Sequence, residues 1–458
     1  MASTQRKLSA APAPVAQRLA EFAVAADVAD MPQEVVRKAQ GCLVDYIACA
    51  LEGADLPWSR QAIEYASTGP QGPATVIGTH KRVAAGEAAF ANGVLGHSLV
   101  REDMHVASCT HLGVVVWPTL LALSDLVGAN GKDFLAAAVV GYEVGARVGR
   151  ALFDADLAAR LRPTGTVGAI GGAAAAARLL GLDEEQTIAA IGFAANCAGG
   201  VNEWPWVGGT EVFFHAGFAA RNAVTAALLA RAGAFASPTA LDGRAGLFAA
   251  FDRRERADVI APLADGEYDI MAVYWKPAPA CNYVQTPCQA ALAVARQVPD
   301  PAEIREVRVG SFTAALRYPG CDMSGPFAGI LEAKMSIQYS VAATLVNRAV
   351  AETNYARLDH PEILRLAAAT KLIVDPDFER AFPAMQGAEI SVVLKDGRTI
   401  SQRCDDVSPV DDDGVRQRFL AAATGALGQE TASEALAAID RLPIDGQAGD
   451  LTKRFVRT

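Results

Sequence analysis

Three of the chain's six histidines, His97, His105 and His111, fall within fifteen residues, among Arg101, Glu102, Asp103, Ser108, Cys109 and Thr110. Imidazoles exchange protons near neutral pH, and guanidinium groups grip carboxylates. The flanks, residues 84–95 and 114–123, are apolar and spaced as helices. A segment this polar between two buried helices has to be solvated, and a cleft that admits a small molecule is the expected place. His97 and His105 are accordingly expected to face substrate; the competing reading is a surface loop with internally satisfied histidines. No metal is expected, because the histidines lack the i, i+4 pairing of zinc hydrolases and no CxxC accompanies them.

Two further stretches carry candidates. Arg162 and Thr164 stand just before a glycine- and alanine-rich helix, where backbone N–H groups and the helix dipole favour an anion such as a substrate carboxylate. The glycines there do not follow GxGxxG and no strand leads in, so a dinucleotide is not implied. Gly141, Gly145 and Gly149 are spaced four apart and predict close helix packing. Beside them, Tyr142 and Glu143 either face the cleft or anchor that packing.

The elements that must position these residues are mostly helices. Apolar residues recur at helical spacing from Val15 to about residue 232, with Asp183 and Gln186 forming a capping pair. Asp45, inside an apolar face, is expected to cap a neighbouring helix. The pattern then changes: 303–310 alternates with period two, and 388–402 reads as a hairpin around Asp396-Gly397. Helix returns over 415–442. The fold class is therefore mainly α: a large helical domain formed by both chain ends (1–265 and 406–458), with an inserted, smaller α+β lid domain (266–405). The first dozen residues are expected to be a frayed arm.

At 458 residues and 51% hydrophobic content there is ample material for a large core. The net charge of −10, without a basic block, argues against nucleic acid and membrane-surface partners. Eight cysteines without paired spacing suit a reducing compartment, and no apolar run reaches the roughly 18 residues of a membrane span. A cytoplasmic protein is expected.

Asp45-Tyr46, Asn92-Gly93 with His97-Ser98, Thr110-His111-x-Gly113, Gly141-Tyr142-Glu143, Pro163-Thr-Gly-Thr166, His215-Ala-Gly217, Lys276-Pro277-x-Pro279 and Ser336-Ile-Gln338-Tyr339 together resemble the MmgE/PrpD family over nearly the whole chain. That resemblance implies a homodimer and cofactor-independent chemistry on small polycarboxylates. It makes His111 the histidine of an active-site loop, Lys276 the lysine that opens the lid, and Tyr318 a lid tyrosine. The chain departs from the family's lyases at several positions. Arg162 replaces a histidine, Val212 a lysine, Asn282 and Gln285 an arginine and a histidine, and Val100-Arg101-Glu102-Asp103 an aspartate-rich run.

Arginine cannot act as an acid or base near neutral pH. Trading such groups for Arg101 and Arg162 points to a substrate rich in carboxylates and a reaction without a leaving-group acid. The expectation is an epimerase of an iminodisuccinate-like amino- or imino-dicarboxylate, an isomerase using Lys276 against His111 or Tyr142; Cys281 and Cys109 are further candidate bases, against the stronger reading of both as small buried hydrophobes. Alternatives are a lyase of the 2-methylcitrate dehydratase or cis-aconitate decarboxylase type, and a non-catalytic carboxylate-binding homologue.

Overall fold

A computed structural model describes residues 13–260 and 266–457. The expected frayed arm and the expected boundary at 265 lie outside the described residues. The architecture is mainly α, a large helical part with a small α+β part.

The helical part is held at glycine-lined crossings. Helices Gly131–Leu152 and Pro163–Leu179 approach so closely that a Cβ on Gly171 would lie 2.5 Å from the Gly141 carbonyl oxygen and 3.0 Å from the Gly145 Cα. Helices Ala85–His97 and Glu211–Arg231 cross in the same way at Gly93 and Gly217. Only small residues permit such approach, which the four-residue spacing predicts. Asn130 caps the Gly131–Leu152 helix by accepting from the Asp133 amide at 2.9 Å. The Asp183–Gln186 capping box is present.

Among the described residues one helix, Glu211–Arg231, is long and apolar enough to cross a membrane. It packs against Ala85–His97, Pro163–Leu179 and Glu184–Asn196, so its apolar face is core. Near the C-terminus, helix Asp412–Leu427 returns to lie along Gln33–Glu52.

The α+β part is a four-stranded sheet in the order Thr370–Val374, Ile304–Ser311, Ala388–Leu394, Thr399–Cys404. The first pair is parallel and the others antiparallel. Asp396-Gly397 makes the hairpin turn, Gly397 at φ +90°. Val307, Val309, Ile390 and Val392 point into a core shared with helices Gln285–Ala295 and Ile337–Asn347. That core also takes in Trp58, Phe90, Val94, Val100, Trp204 and Phe213 from the helical part. The two parts therefore meet across this shared apolar cluster, and the polar 97–111 segment lies along it.

Candidate functional site

The segment leaves helix Ala85–His97 through Val100, at φ +57°, and re-enters helix Gly113–Val127 after Cys109, at φ +52°. A left-handed conformation is costly for a β-branched residue, of order 1–3 kcal/mol. Two wholly buried lysines from the α+β part hold the turn. Lys276 Nζ donates to the Val100 carbonyl, and Lys334 Nζ donates to the Leu99 carbonyl at 2.8 Å while pairing with Glu352 at 2.7 Å. Burial, partly opposed by Glu102 and Cys281, brings the Lys276 ammonium down to about 8.

Glu102 is the hub of the segment. Its Oε1 lies 2.5 Å from His97 Nδ1 and 3.1 Å from His111 Nδ1. Burial opposes its charge, but the histidines and Lys276 outweigh that and keep the carboxyl below its ordinary range. His111 Nδ1 also lies 2.8 Å from the Asp103 carbonyl oxygen, which can only accept, so Nδ1 carries the proton and Nε2 is left as an acceptor. His97 is fixed by the same logic: its Nε2, 3.2 Å from Arg162 Nη2, accepts, and its Nδ1 donates to Glu102. Burial holds both imidazoles neutral, with their pKa lowered and that of His111 well below the ordinary value. Glu102 therefore draws its charge stabilisation from Lys276 and two neutral N–H donors.

A narrow cavity opens beside this hub. Its apolar wall includes Val100, Met104, Trp204, Leu331 and Met335. His111, Arg162, Cys281 and Tyr318 share the remainder with Cys109, Asn282, Tyr283 and Val212. The arrangement can bind an anion at Arg162 and pass a proton at His111 Nε2.

The other sequence candidates lie elsewhere. His97 stands one bond behind the wall, and Lys276 lies behind the Val100 carbonyl. Thr164 Oγ1 accepts from the His111 amide at 3.2 Å, so it positions the loop. Tyr142 anchors rather than faces the cavity: its hydroxyl donates to Asp103 and accepts from Trp117 Nε1 at 3.0 Å. Arg101 turns away, pairing with Glu52 at 2.7 Å, and His105 turns to Ser108 at 2.7 Å and toward Asp269 at 3.6 Å. Gln285 bonds the backbone of Ala278, Ala280 and Cys281 and is spent there. Asp45 caps nothing: both carboxyl oxygens are buried without hydrogen-bond partners.

Sequence reasoning passed over Glu102 as the hub, Asp103 as the cap on Gly113 (3.2 Å), and Trp204 in the wall. A carboxylate placed between two histidines was the available signal for the first. Among the described residues no group of three or more His, Cys, Asp or Glu side chains is arranged to hold a metal ion.

The MmgE/PrpD N-terminal domain matches residues 17–259 and the MmgE/PrpD C-terminal domain residues 278–443. A cis-aconitate decarboxylase of Aspergillus terreus is 27% identical over 416 residues, 85% of this chain and 84% of that one. The cis-aconitate decarboxylase of Mus musculus is 29% identical over 375 residues, 78% and 75% of the two chains. The cis-aconitate decarboxylase-like protein oryM of Aspergillus oryzae is 38% identical over 233 residues, which span 49% of this chain and a little under half, 46%, of that protein.

These relatives correct the expectation of an epimerase, and with it of an isomerase acting on an iminodisuccinate-like substrate, since proteins aligned over most of the chain are named as decarboxylases, which are lyases. The geometry shows where the inference went astray. Arg101 is bound to Glu52 and leaves the cavity wall, so only one of the two arginines, Arg162, lines the cavity. The cavity wall also includes the His111 imidazole, whose Nδ1 is bonded to the Asp103 carbonyl.

Proposed function

The chain belongs to the MmgE/PrpD family, and we propose that it is a lyase acting on a small polycarboxylate, of the decarboxylating kind. The observation that carries this reading is that His111 and Arg162 share one cavity wall, with His111 Nδ1 pinned so that Nε2 is free. In this reading Arg162 pairs with one substrate carboxylate, its planar fork suiting that group. A second carboxylate lies against the apolar wall of Val100, Met104, Leu331 and Met335, where its charge is poorly solvated and loss of neutral carbon dioxide is favoured. The electron pair left on carbon takes a proton from His111 Nε2. The imidazole, neutral in the empty site, takes that proton from solvent as the substrate's negative charge arrives beside it. Lys276 and Lys334 serve by holding the turn at Leu99 and Val100.

Arg162, standing where the family's lyases carry histidine, favours a substrate other than cis-aconitate itself. A homodimer in the cytoplasm goes with the same reading. Family resemblance supports the dimer, as do Trp206 and Val207, 64% and 67% exposed on the short helix Trp204–Val207.

The test is incubation in deuterium oxide with cis-aconitate and a panel of small di- and tricarboxylates, following carbon dioxide release and proton NMR. Carbon dioxide with deuterium in the product of one panel member is the expected result. Loss of water without carbon dioxide would move the reaction to the dehydratase type. Neither reaction across the panel, with no heat of binding, would sink the lyase reading.

A further inference from the structure

Cys281 and Cys321 come from segments forty residues apart, yet their sulfurs lie 3.7 Å from one another. A bonded pair sits about 2.0 Å apart, so less than two ångströms of approach separates this contact from a disulfide. The two thiols differ in access. Cys281 lies in the cavity wall beside Arg162, whereas Cys321 is wholly buried behind it and absent from the wall. Both are fixed by their backbones. The Cys281 amide donates to the Lys334 carbonyl at 2.9 Å, the Cys321 amide donates to the Tyr318 carbonyl at 3.0 Å, and the Cys321 carbonyl accepts from Ile337 at 2.9 Å.

We propose that Cys281 and Cys321 form a peroxide-reactive dithiol, in which Cys281 is the sulfur oxidised from the cavity and Cys321 the one that resolves it to a disulfide. The chemistry needs only a hydroperoxide small enough to enter the cavity. The Cys281 thiolate attacks the peroxide, the O–O bond breaks, and the sulfur becomes a sulfenic acid while the second oxygen leaves as water or alcohol. Cys321 then attacks that sulfur; the S–S bond forms, the S–OH bond breaks, and water departs with the Cys321 proton. A small dithiol reverses both electrons' worth of oxidation.

The surroundings favour this order. The Cys321 S–H, the Tyr283 amide and the nearby Lys276 and Arg162 cations hold the Cys281 thiol below its usual range against burial, whereas burial pushes Cys321 well up. Cys109, also in the wall, is pushed up to about 11 by burial, so the cavity offers one activated sulfur. The cross-link would tie the Lys276–Gln285 stretch to the Tyr318–Cys321 stretch and remove a wall sulfur. If the cavity is the catalytic site proposed above, turnover stops with it; that last consequence rests on the functional reading, and the thiol chemistry does not.

The test uses the full chain and hydrogen peroxide, followed by alkylation under denaturing conditions and peptide mass mapping. The expected first event is paired loss of two alkylatable thiols with a cross-linked 281–321 peptide, restored by dithiothreitol. In Cys321→Ser, peroxide should leave a sulfenic acid at Cys281 that dimedone traps. Oxidation of Cys109 or Cys197 ahead of Cys281, or over-oxidation of Cys281 in the wild type without the cross-link, would overturn the proposal. Should the variant fail to fold, the wild-type peptide map alone decides. A reversible cross-link in a protein that turns over no polycarboxylate would uphold the dithiol and remove the proposed function instead.

Discussion

The His97–His111 segment feeds two buried clusters of charge. Around Asp269, the side chains answer one another: Arg147 Nε at 3.0 Å and Arg150 Nη1 at 3.2 Å face its carboxylate, and Glu143 accepts from the Asp269 and Ile270 amides, each at 3.0 Å. Around Glu102, capacity is left over. Glu102 Oε2 and Arg162 Nε have no hydrogen-bond partner, and neither does His215 Nδ1 nearby. An unmet buried polar group costs about 1–3 kcal/mol. Such a cost is one that a bound ligand could repay, and Arg162 lines a cavity that could hold one; the Asp269 cluster, where His105 Nε2 also lacks a hydrogen-bond partner, does not line that cavity and clasps the Gly131–Leu152 helix to the chain around residue 270. The two clusters thus differ less in unmet groups than in surroundings, because only the Glu102 side, through His111 and Arg162, opens on the cavity.

The contrast is broken most sharply at His111. His111→Ala should lower kcat about 10²- to 10⁴-fold, the range for losing a positioned acid or base, with circular dichroism unchanged and a stability loss of about 1–3 kcal/mol for the donor removed from Glu102. A variant that keeps more than a tenth of wild-type turnover would return His111 to a structural part. At the clasp the effect should fall on stability instead. Asp269→Ala strands Arg147 and Arg150 against a missing charge, and breaking such a pair costs about 3–5 kcal/mol; a urea midpoint equal to wild type would show the clasp to be idle.

The two arginines sharpen the comparison next. Arg162→Gln should cut kcat/KM by about 2–5 kcal/mol, at least about 30-fold. Arg101→Gln should leave KM alone and cost about 1 kcal/mol of stability, because its partner Glu52 is partly exposed. A sharp rise in KM for Arg101→Gln would mean that substrate reaches the Glu52 side of the segment.

The smallest effect belongs to Asp45. Burial, opposed by Arg101, raises its carboxyl from 3.8 to about 7. The folded state therefore binds the proton more tightly than the unfolded state between about pH 4 and 7, and the stability Asp45 contributes is complete below that window and lost as pH rises through it. Asp45→Asn should flatten this slope, at most about 1.4 kcal/mol per pH unit, as read from melts across pH 4–8. An unchanged profile would show that another group sets the pH response.

The residues themselves determined what short-range rules govern. Small residues four apart brought Gly141 and Gly145 against Gly171, the Asp183 and Gln186 pair capped its helix, and Asp396-Gly397 turned its hairpin. A polar run between apolar helices likewise implied a cleft, and the ordered motifs implied the family. What the sequence left open was where the side chains of the irregular segment point. Outside helix and strand no period fixes that direction. Here it depends on left-handed turns at Val100 and Cys109 and on contacts from distant chain, such as Lys276 reaching Val100 across 176 positions. Only those contacts sent Arg162 to the cavity and Arg101 to Glu52, turned His105 toward Asp269, and made Tyr142 a support for Asp103. Arginines, histidines and tyrosines of identical type take different parts because burial and partners, supplied by segments far apart in sequence, decide which polar atoms are left for a ligand.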